Sequence, residues 1–211
     1  MNIFKIVAAW GLLESVWDFF ESATEGLSEA ASIRVAYHLG NGNPNMAKMS
    51  SYKSLFMGVS LSFFMTALFF MMGDDLTKWL TPDQTLRVLL NELIPMIGMA
   101  NVFMIFGMIA WTLVGAQGRY KLATIVSMAN TFLVTLPLAS LSTFYFIFDL
   151  QGIVGAIICG YSTTGLWLGY ILLRSDWEHI SQTIQEYNAE HDISDSESES
   201  ESDSESESDD S

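Results

Sequence analysis

The fold is decided by residues Leu93–Gly118, which read LIPMIGMANVFMIFGMIAWTLVGAQG and contain no Asp, Glu, Lys or Arg. Three more charge-free stretches of 20 residues or more occur at Ser54–Gly73, Leu122–Phe148 and Leu150–Leu173. An α-helix rises about 1.5 Å per residue and the hydrocarbon core of a bilayer is about 30 Å thick, so each stretch is long enough to cross it. Helices of soluble proteins show a polar face instead. The pattern therefore predicts an integral membrane protein.

The chain that precedes these stretches is apolar at Ile6–Leu13 and then becomes acidic. We interpret it as a truncated or weak first span rather than a signal sequence, because acids begin at Glu14 and no small-residue cleavage pattern follows. The predicted fold class is an all-α membrane protein, with a bundle of about five transmembrane helices. The predicted spans are residues 6–33, 54–73, 93–118, 122–148 and 150–173.

Four acidic side chains form one stripe on the first helix, and they are the candidate ion-coupling residues: Glu14, Asp18, Glu21 and Glu25. At 100° per residue they fall within an arc of about 60°. An acid within a bilayer costs roughly 2.5 to 3.5 kcal/mol on insertion scales, so such residues usually face a cavity and have a function. The stripe is either a proton or cation site or the wetted face of a helix that is not buried. Repulsion between the central pair, Asp18 and Glu21, suits groups that load and release a proton.

The C-terminal part of the chain changes character after Arg174. Residues 175–190 place Trp177, Ile180, Ile184 and Tyr187 at helical spacing, which predicts an amphipathic surface helix. Residues 191–211 repeat Ser with Asp or Glu, cannot bury a core, and are predicted to be disordered. The tail carries ten of the 24 acids, so the net charge of −15 belongs mostly to it. Its serines resemble the substrates of acidophilic kinases.

The basic residues are distributed unevenly between the two ends of the predicted bundle. Short loops rich in Lys and Arg stay in the cytoplasm, which predicts a multi-pass protein with a cytoplasmic C-terminal tail. The host membrane is either the plasma membrane or a vacuole-like membrane. One end holds Arg34, Lys48, Lys53, Arg119, Lys121 and Arg174, and the other holds Lys5, Lys78 and Arg87.

Other residue patterns narrow the function. Gly165 and Gly169 are four residues apart in the last stretch, which predicts close helix packing. The histidines are scattered without a paired nucleophile and no metal-ligand spacing occurs, so neither an enzyme nor a metal site is predicted. No cofactor is expected beyond a coupling proton or sodium ion. The acidic balance and the absence of basic clusters disfavour nucleic acid as a partner.

Three segments, in order along the chain, resemble the multidrug and toxic compound extrusion (MATE) family of transporters. The first is GLSEAASIRVAYHLGNGNPNMAK at Gly26–Lys48, and the second is GAQGRYKLATIVSMANTFLVTLP at Gly115–Pro137. The third, RSDWEHIS at Arg174–Ser181, is similar to an ending common in eukaryotic members. The resemblance covers the second six-helix lobe of a MATE transporter from its eighth helix onward, so it implies a fragment whose N-terminal lobe is missing.

The resemblance implies secondary active transport, in which small organic compounds leave the cell in exchange for protons or sodium. The partners would be the lipid bilayer, a small organic substrate and the missing N-terminal lobe. The alternative is a truncated membrane lobe without transport of its own, which serves as an assembly partner for other chains. A small channel or sensor is a third possibility and would require an oligomeric pore.

Overall fold

The computed structural model describes residues 3–145 and 150–190, and within these ranges it contains helices and no β-strand. The predicted disorder of the acidic tail and the kinase-substrate pattern of its serines fall on residues 191–211, which lie outside the described part. The helices are α1 (Ile3–Gly40), α2 (Pro44–Leu80), α3 (Gln84–Ala116), α4 (Tyr120–Asn130), a π-helical turn (Thr131–Thr135), α5 (Leu136–Tyr145), α6 (Leu150–Leu173) and α7 (residues 177–190).

Four helical segments are long and apolar enough to cross a membrane: Pro44–Met72, Gln84–Ala116, Tyr120–Phe144 and Gly152–Leu173. Each of them overlaps one of the four charge-free stretches, and the predicted all-α membrane bundle is confirmed. In the described residues α1 is not among these four segments. Its crossing of the membrane stays a prediction.

The turns between the long helices are shorter than the sequence indicates. The α1–α2 turn occupies residues 41–43, where Gly42 takes a φ of 69° and Pro44 opens α2. The predicted spans leave residues 74–92 between them, whereas the connection between α2 and α3 occupies only residues 81–83. The reason is local: Lys78 pairs with Asp75 at 2.8 Å on the last turns of α2, and Asp83 caps α3 by accepting the backbone N–H of Thr85 at 2.8 Å.

Helix α3 lies at the centre of the bundle and packs against α1, α2 and α6, while α6 also packs against α4, the π-helical turn and α5. Helix α7 closes one end of the bundle. Its Trp177 is buried in the main core, Ile180 and Ile184 pack against that core, and the Ser181 hydroxyl donates to the Leu39 carbonyl at 2.8 Å. The face predicted to lie on a membrane surface thus packs largely against the protein.

The helix from α4 to α5 changes its hydrogen-bond pattern in the middle. In the π-helical turn the backbone N–H of Leu136 donates to the carbonyl of Thr131, five residues earlier. Pro137 follows at once and brings no N–H to the backbone ladder. The turn allows the helix to continue through a position where a proline weakens regular α-helical bonding.

The order of the helices places the α1–α2 turn, the α3–α4 hinge and the α6–α7 turn at one end of the bundle. We call this end the basic end, because the six bases grouped above flank these three connections. The opposite end carries the α2–α3 turn and the start of α6.

Candidate functional site

The N-terminal half of α1 borders an open cavity of about 240 Å³, which we call the acidic cavity. It lies between α1, α3 and α6, in the half of the bundle away from the basic end. Its lining combines carboxylates with aromatic and aliphatic side chains: Trp10, Glu14, Asp18, Glu21, Ile97, Val154, Ile157 and Tyr161.

The geometry of α1 explains why its acids reach this cavity. Further along the helix the buried face is formed by Thr24, Ser28, Ala31, Val35 and Leu39. At 100° per residue, the acidic stripe lies roughly 70° around the helix from that face. The carboxylates therefore stand at the edge of the packed surface, where the bundle opens.

The structure brings three of the four candidate acids together. Glu14, Asp18 and Glu21 line the acidic cavity, and all three side chains are exposed. Glu25 is also exposed but is not part of the lining. Within residues 3–145 and 150–190, no group of three or more His, Cys, Asp and Glu side chains is arranged to hold a metal ion. The site can offer carboxylate oxygens to a proton or to a weakly held cation.

Sequence reasoning missed Trp10 and Tyr161, the two aromatic residues of the lining. Their polar atoms, an indole N–H and a phenol O–H, can orient an organic molecule beside the carboxylates. A signal was present in part, since aromatic residues beside acids in an apolar segment are typical of binding cavities. The pairing of α1 with α6 across the cavity has no local sequence signal.

The two candidate packing glycines lie where α6 crosses α3. A Cβ atom added to Gly165 would lie 3.1 Å from the Cα atom of Gly107, and one added to Gly169 would lie 2.8 Å from the ring of Phe106. Backbones can approach this closely only where side chains are absent. The crossing holds α6 against the central helix and thereby fixes one wall of the acidic cavity.

Two buried asparagines link helices inside charge-free stretches, and sequence reasoning missed both. Asn130 donates to the Gly160 carbonyl at 2.8 Å and to the Thr164 hydroxyl at 2.7 Å, and its oxygen accepts the Thr163 hydroxyl at 2.8 Å. Asn101 donates to the Thr66 hydroxyl at 3.0 Å. An amide in a stretch without charges is itself a signal, because a polar group in lipid needs a partner.

Comparison with known proteins identifies the family. The family model described as MatE matches residues 5–141, which is more than half of the chain. Protein DETOXIFICATION 53 of Arabidopsis thaliana is 26% identical over 187 residues, which cover 87% of this chain and 38% of that protein. Multidrug and toxin extrusion protein 1 of Homo sapiens is 26% identical over 161 residues, covering 76% of this chain and 28% of that protein.

A solved structure gives the same result for the fold. The crystal structure of the eukaryotic MATE transporter AtDTX14 matches with a TM-score of 0.79 at 22% sequence identity, and the match covers 87% of this chain and 40% of that one. This chain thus spans well under half the length of each of these relatives. Its resemblance to MATE transporters is confirmed, and the chain belongs to the MatE family.

Proposed function

We propose that this chain is the C-terminal lobe of a secondary active antiporter that exports small organic compounds in exchange for protons or sodium. The observation that carries the proposal is the acidic cavity, where Glu14, Asp18 and Glu21 stand beside Trp10 and Tyr161. Coupled export requires an ionisable group and an apolar contact surface in one place, and both are present. The printed names of the relatives, with detoxification and toxin extrusion, agree with an organic substrate.

The exposed state of the three carboxylates supports a role for a second lobe. Carboxylates left against lipid are costly, so the cavity needs either water or protein on its open side. A two-lobed arrangement supplies that side, and we propose that the missing N-terminal lobe covers it. No observation favours the alternative of an assembly partner without transport.

Asp18 and Glu21 are the proposed coupling residues, because they lie between Glu14 and Glu25 along the stripe. Two carboxylates one helical turn apart repel each other when both are charged, and binding of one cation or proton relieves the repulsion. Release of that ion on the other side of the membrane restores the repulsion. In this proposal Glu14 and Glu25 lie nearer the mouths of the cavity and guide the ion.

The test places residues 5–174 in AtDTX14, in place of the matched part of that transporter. Cells that express this chimera are loaded with ethidium, an organic cation, and dye efflux is measured under a proton gradient and, separately, a sodium gradient. We expect efflux under one gradient. Asp18→Asn and Glu21→Gln, each alone, should lower the initial rate at least about tenfold, as for loss of an interaction worth about 1.4 kcal/mol in the transition state.

The matched control is Asp75→Asn, which removes an acid from the end of α2, outside the cavity. Asp75 is fully exposed, and a hydrogen bond and the positive charge of Lys78 lower the pKa of this carboxyl. Efflux should be unchanged by this substitution. A wild-type chimera that exports no dye under either gradient would contradict the transport proposal. Normal efflux in both cavity variants would show that the acidic stripe is only a water-exposed face of α1.

A further inference from the structure

A second, larger cavity lies at the basic end of the bundle, and the proposed transport function does not use it. Its volume is about 700 Å³, and it is open to the outside. We call it the basic-end cavity. The α3–α4 hinge, the α6–α7 turn and one face of α7 form its walls, with the lining residues Gln117, Gly118, Arg119, Arg174, Ser175, Asp176, His179, Ile180, Thr183, Ile184 and Tyr187.

The charged groups of the basic-end cavity favour an anionic ligand. Arg119 and Arg174 contribute two guanidinium groups, and with the residues that the structure describes neither of them forms an ion pair within 4.0 Å. Asp176 is the single carboxylate of the lining, and its side chain accepts the backbone N–H of His179 at 3.2 Å at the start of α7. The cavity therefore has a surplus of positive charge and of hydrogen-bond donors.

Hydrogen bonds hold the two sides of the cavity in a fixed relation. Arg119 donates through Nη1 to the Ser175 hydroxyl oxygen at 3.4 Å, and this oxygen lies 3.1 Å from Oε1 of the buried Gln117. The guanidinium carbon of Arg174 lies 5.5 Å from the centroid of the Tyr170 ring. Because the hinge and the α6–α7 turn are bonded together, both arginines are held near one opening before any ligand arrives.

The position of the cavity along the membrane normal indicates which kind of anion it binds. The membrane-spanning parts of α3 and α6 end at Ala116 and Leu173, only one to three residues before the two arginines. This is the level of the lipid headgroups. Basic pockets at the ends of transmembrane helices bind phosphate-bearing headgroups. A guanidinium group can donate two parallel hydrogen bonds to the oxygens of one phosphate.

We propose that the basic-end cavity binds a phosphate group, with Arg119 and Arg174 as its direct ligands, and that an anionic phospholipid headgroup supplies it. Ile180 and Ile184 form an apolar wall against which the glycerol part of a lipid packs. Occupation of the site would hold α7 to the hinge and stabilise the closed end of the bundle.

The test uses the full 211-residue chain in detergent micelles and native mass spectrometry. The probe lipid is dioleoyl phosphatidic acid and the reference lipid is dioleoyl phosphatidylcholine. We expect phosphatidic acid to be retained about tenfold more tightly, the change expected from one charge-assisted hydrogen bond. Arg119→Gln and Arg174→Gln should each abolish most of this preference, whereas Lys121→Gln, which removes an exposed base next to the cavity, should preserve it.

A parallel titration with inorganic phosphate distinguishes a lipid from a free anion. Failure of millimolar phosphate to displace phosphatidic acid supports the lipid headgroup, while displacement supports a site for the phosphate group itself. Thermal unfolding in the same micelles verifies that each variant is folded, and Arg174 is exposed enough for its replacement to be tolerated. An equal loss of binding in all three variants, or equal retention of the two lipids, would overturn the proposal.

Discussion

At the scale of single residues, the Asn130 side chain forms three hydrogen bonds to the neighbouring helix α6. Its amide uses both donor and acceptor atoms on α6, where it contacts Gly160, Thr163 and Thr164. The residue lies at the last position of α4, immediately before the π-helical turn. The amide therefore fixes the place where the helix changes its geometry.

Replacing Asn130 by Ala should destabilise the bundle by about 1–2 kcal/mol. The Gly160 carbonyl and the hydroxyls of Thr163 and Thr164 would each lose a hydrogen bond to this amide. Interhelical hydrogen bonds in membrane proteins contribute amounts of this order. The measurement is the free energy of unfolding in mixed micelles, followed by circular dichroism.

Thr131→Ala is the matched control for Asn130→Ala. The Thr131 hydroxyl donates to the Ser127 carbonyl of its own helix at 2.9 Å and is exposed, so its loss should leave the free energy of unfolding nearly unchanged. If the Asn130→Ala variant and the wild-type chain had equal free energies of unfolding, the hydrogen bonds of this amide would not stabilise the fold.

At the scale of helices, the crossing of α3 and α6 depends on glycine at the contact. Gly107 and Gly165 face each other, and a Cβ atom added to Gly165 would lie 3.1 Å from the Cα atom of Gly107, so that backbone would have to shift by a few tenths of an ångström. A Cβ atom added to Gly107 would make ordinary van der Waals contact at 3.4 Å. Gly155, which lies on α6 like Gly165, is different, because a Cβ atom there would meet only Met96 Cε at 3.7 Å. The two glycines of α6 therefore form a natural pair for comparison.

Gly165→Ala should lower the free energy of unfolding by up to about 2 kcal/mol, since overpacking of a tight contact costs about 1–3 kcal/mol and the helix-propensity gain of about 1 kcal/mol offsets only part of it. Gly155→Ala should be neutral or slightly stabilising for the same propensity reason. Denaturation of both variants in one micelle system measures the difference. Equal behaviour of the two would contradict the role of the α3–α6 contact.

The helices could be predicted to different extents from the sequence. The charge-free stretches indicated where the long apolar helices lie, because a run of 18 or more residues without charge favours a membrane-spanning helix. Helix α2 continues past the predicted span end at residue 73, since polar residues such as Asp75 and Lys78 also fit the exposed end of a long helix. The acidic stripe was visible as a spacing on one helix, but its aromatic neighbours come from other positions and needed the tertiary structure.

At the scale of the whole molecule, the two cavities lie towards opposite ends of the bundle and differ in charge. Carboxylates line the acidic cavity, and arginines line the basic-end cavity. The asymmetry agrees with the proposed orientation, in which the basic end faces the cytoplasm. The host membrane, either the plasma membrane or a vacuole-like membrane, stays a prediction.

The orientation can be tested by cysteine labelling at the two exposed turns. In a Cys159→Ser background, one variant carries Asn41→Cys in the α1–α2 turn and the other carries Pro82→Cys in the α2–α3 turn. With the protein at the surface of sealed cells, a membrane-impermeant maleimide should label the Pro82→Cys variant at once. The Asn41→Cys variant should react only after permeabilisation, and the reverse pattern would place the tail outside.

The π-helical turn at Thr131–Thr135 also has a meaning for the ancestry of this helix. Such a turn is one residue wider than the α-helical turn it interrupts, so it can arise when a single codon is inserted and the helix absorbs the extra residue. Each residue rotates an α-helix by about 100°, so an insertion without this bulge would turn all later side chains away from α6. A homologue that lacks one residue here would keep its α5 contacts by closing the bulge. Alignments of the family should therefore place their gap beside Asn130 rather than in a loop.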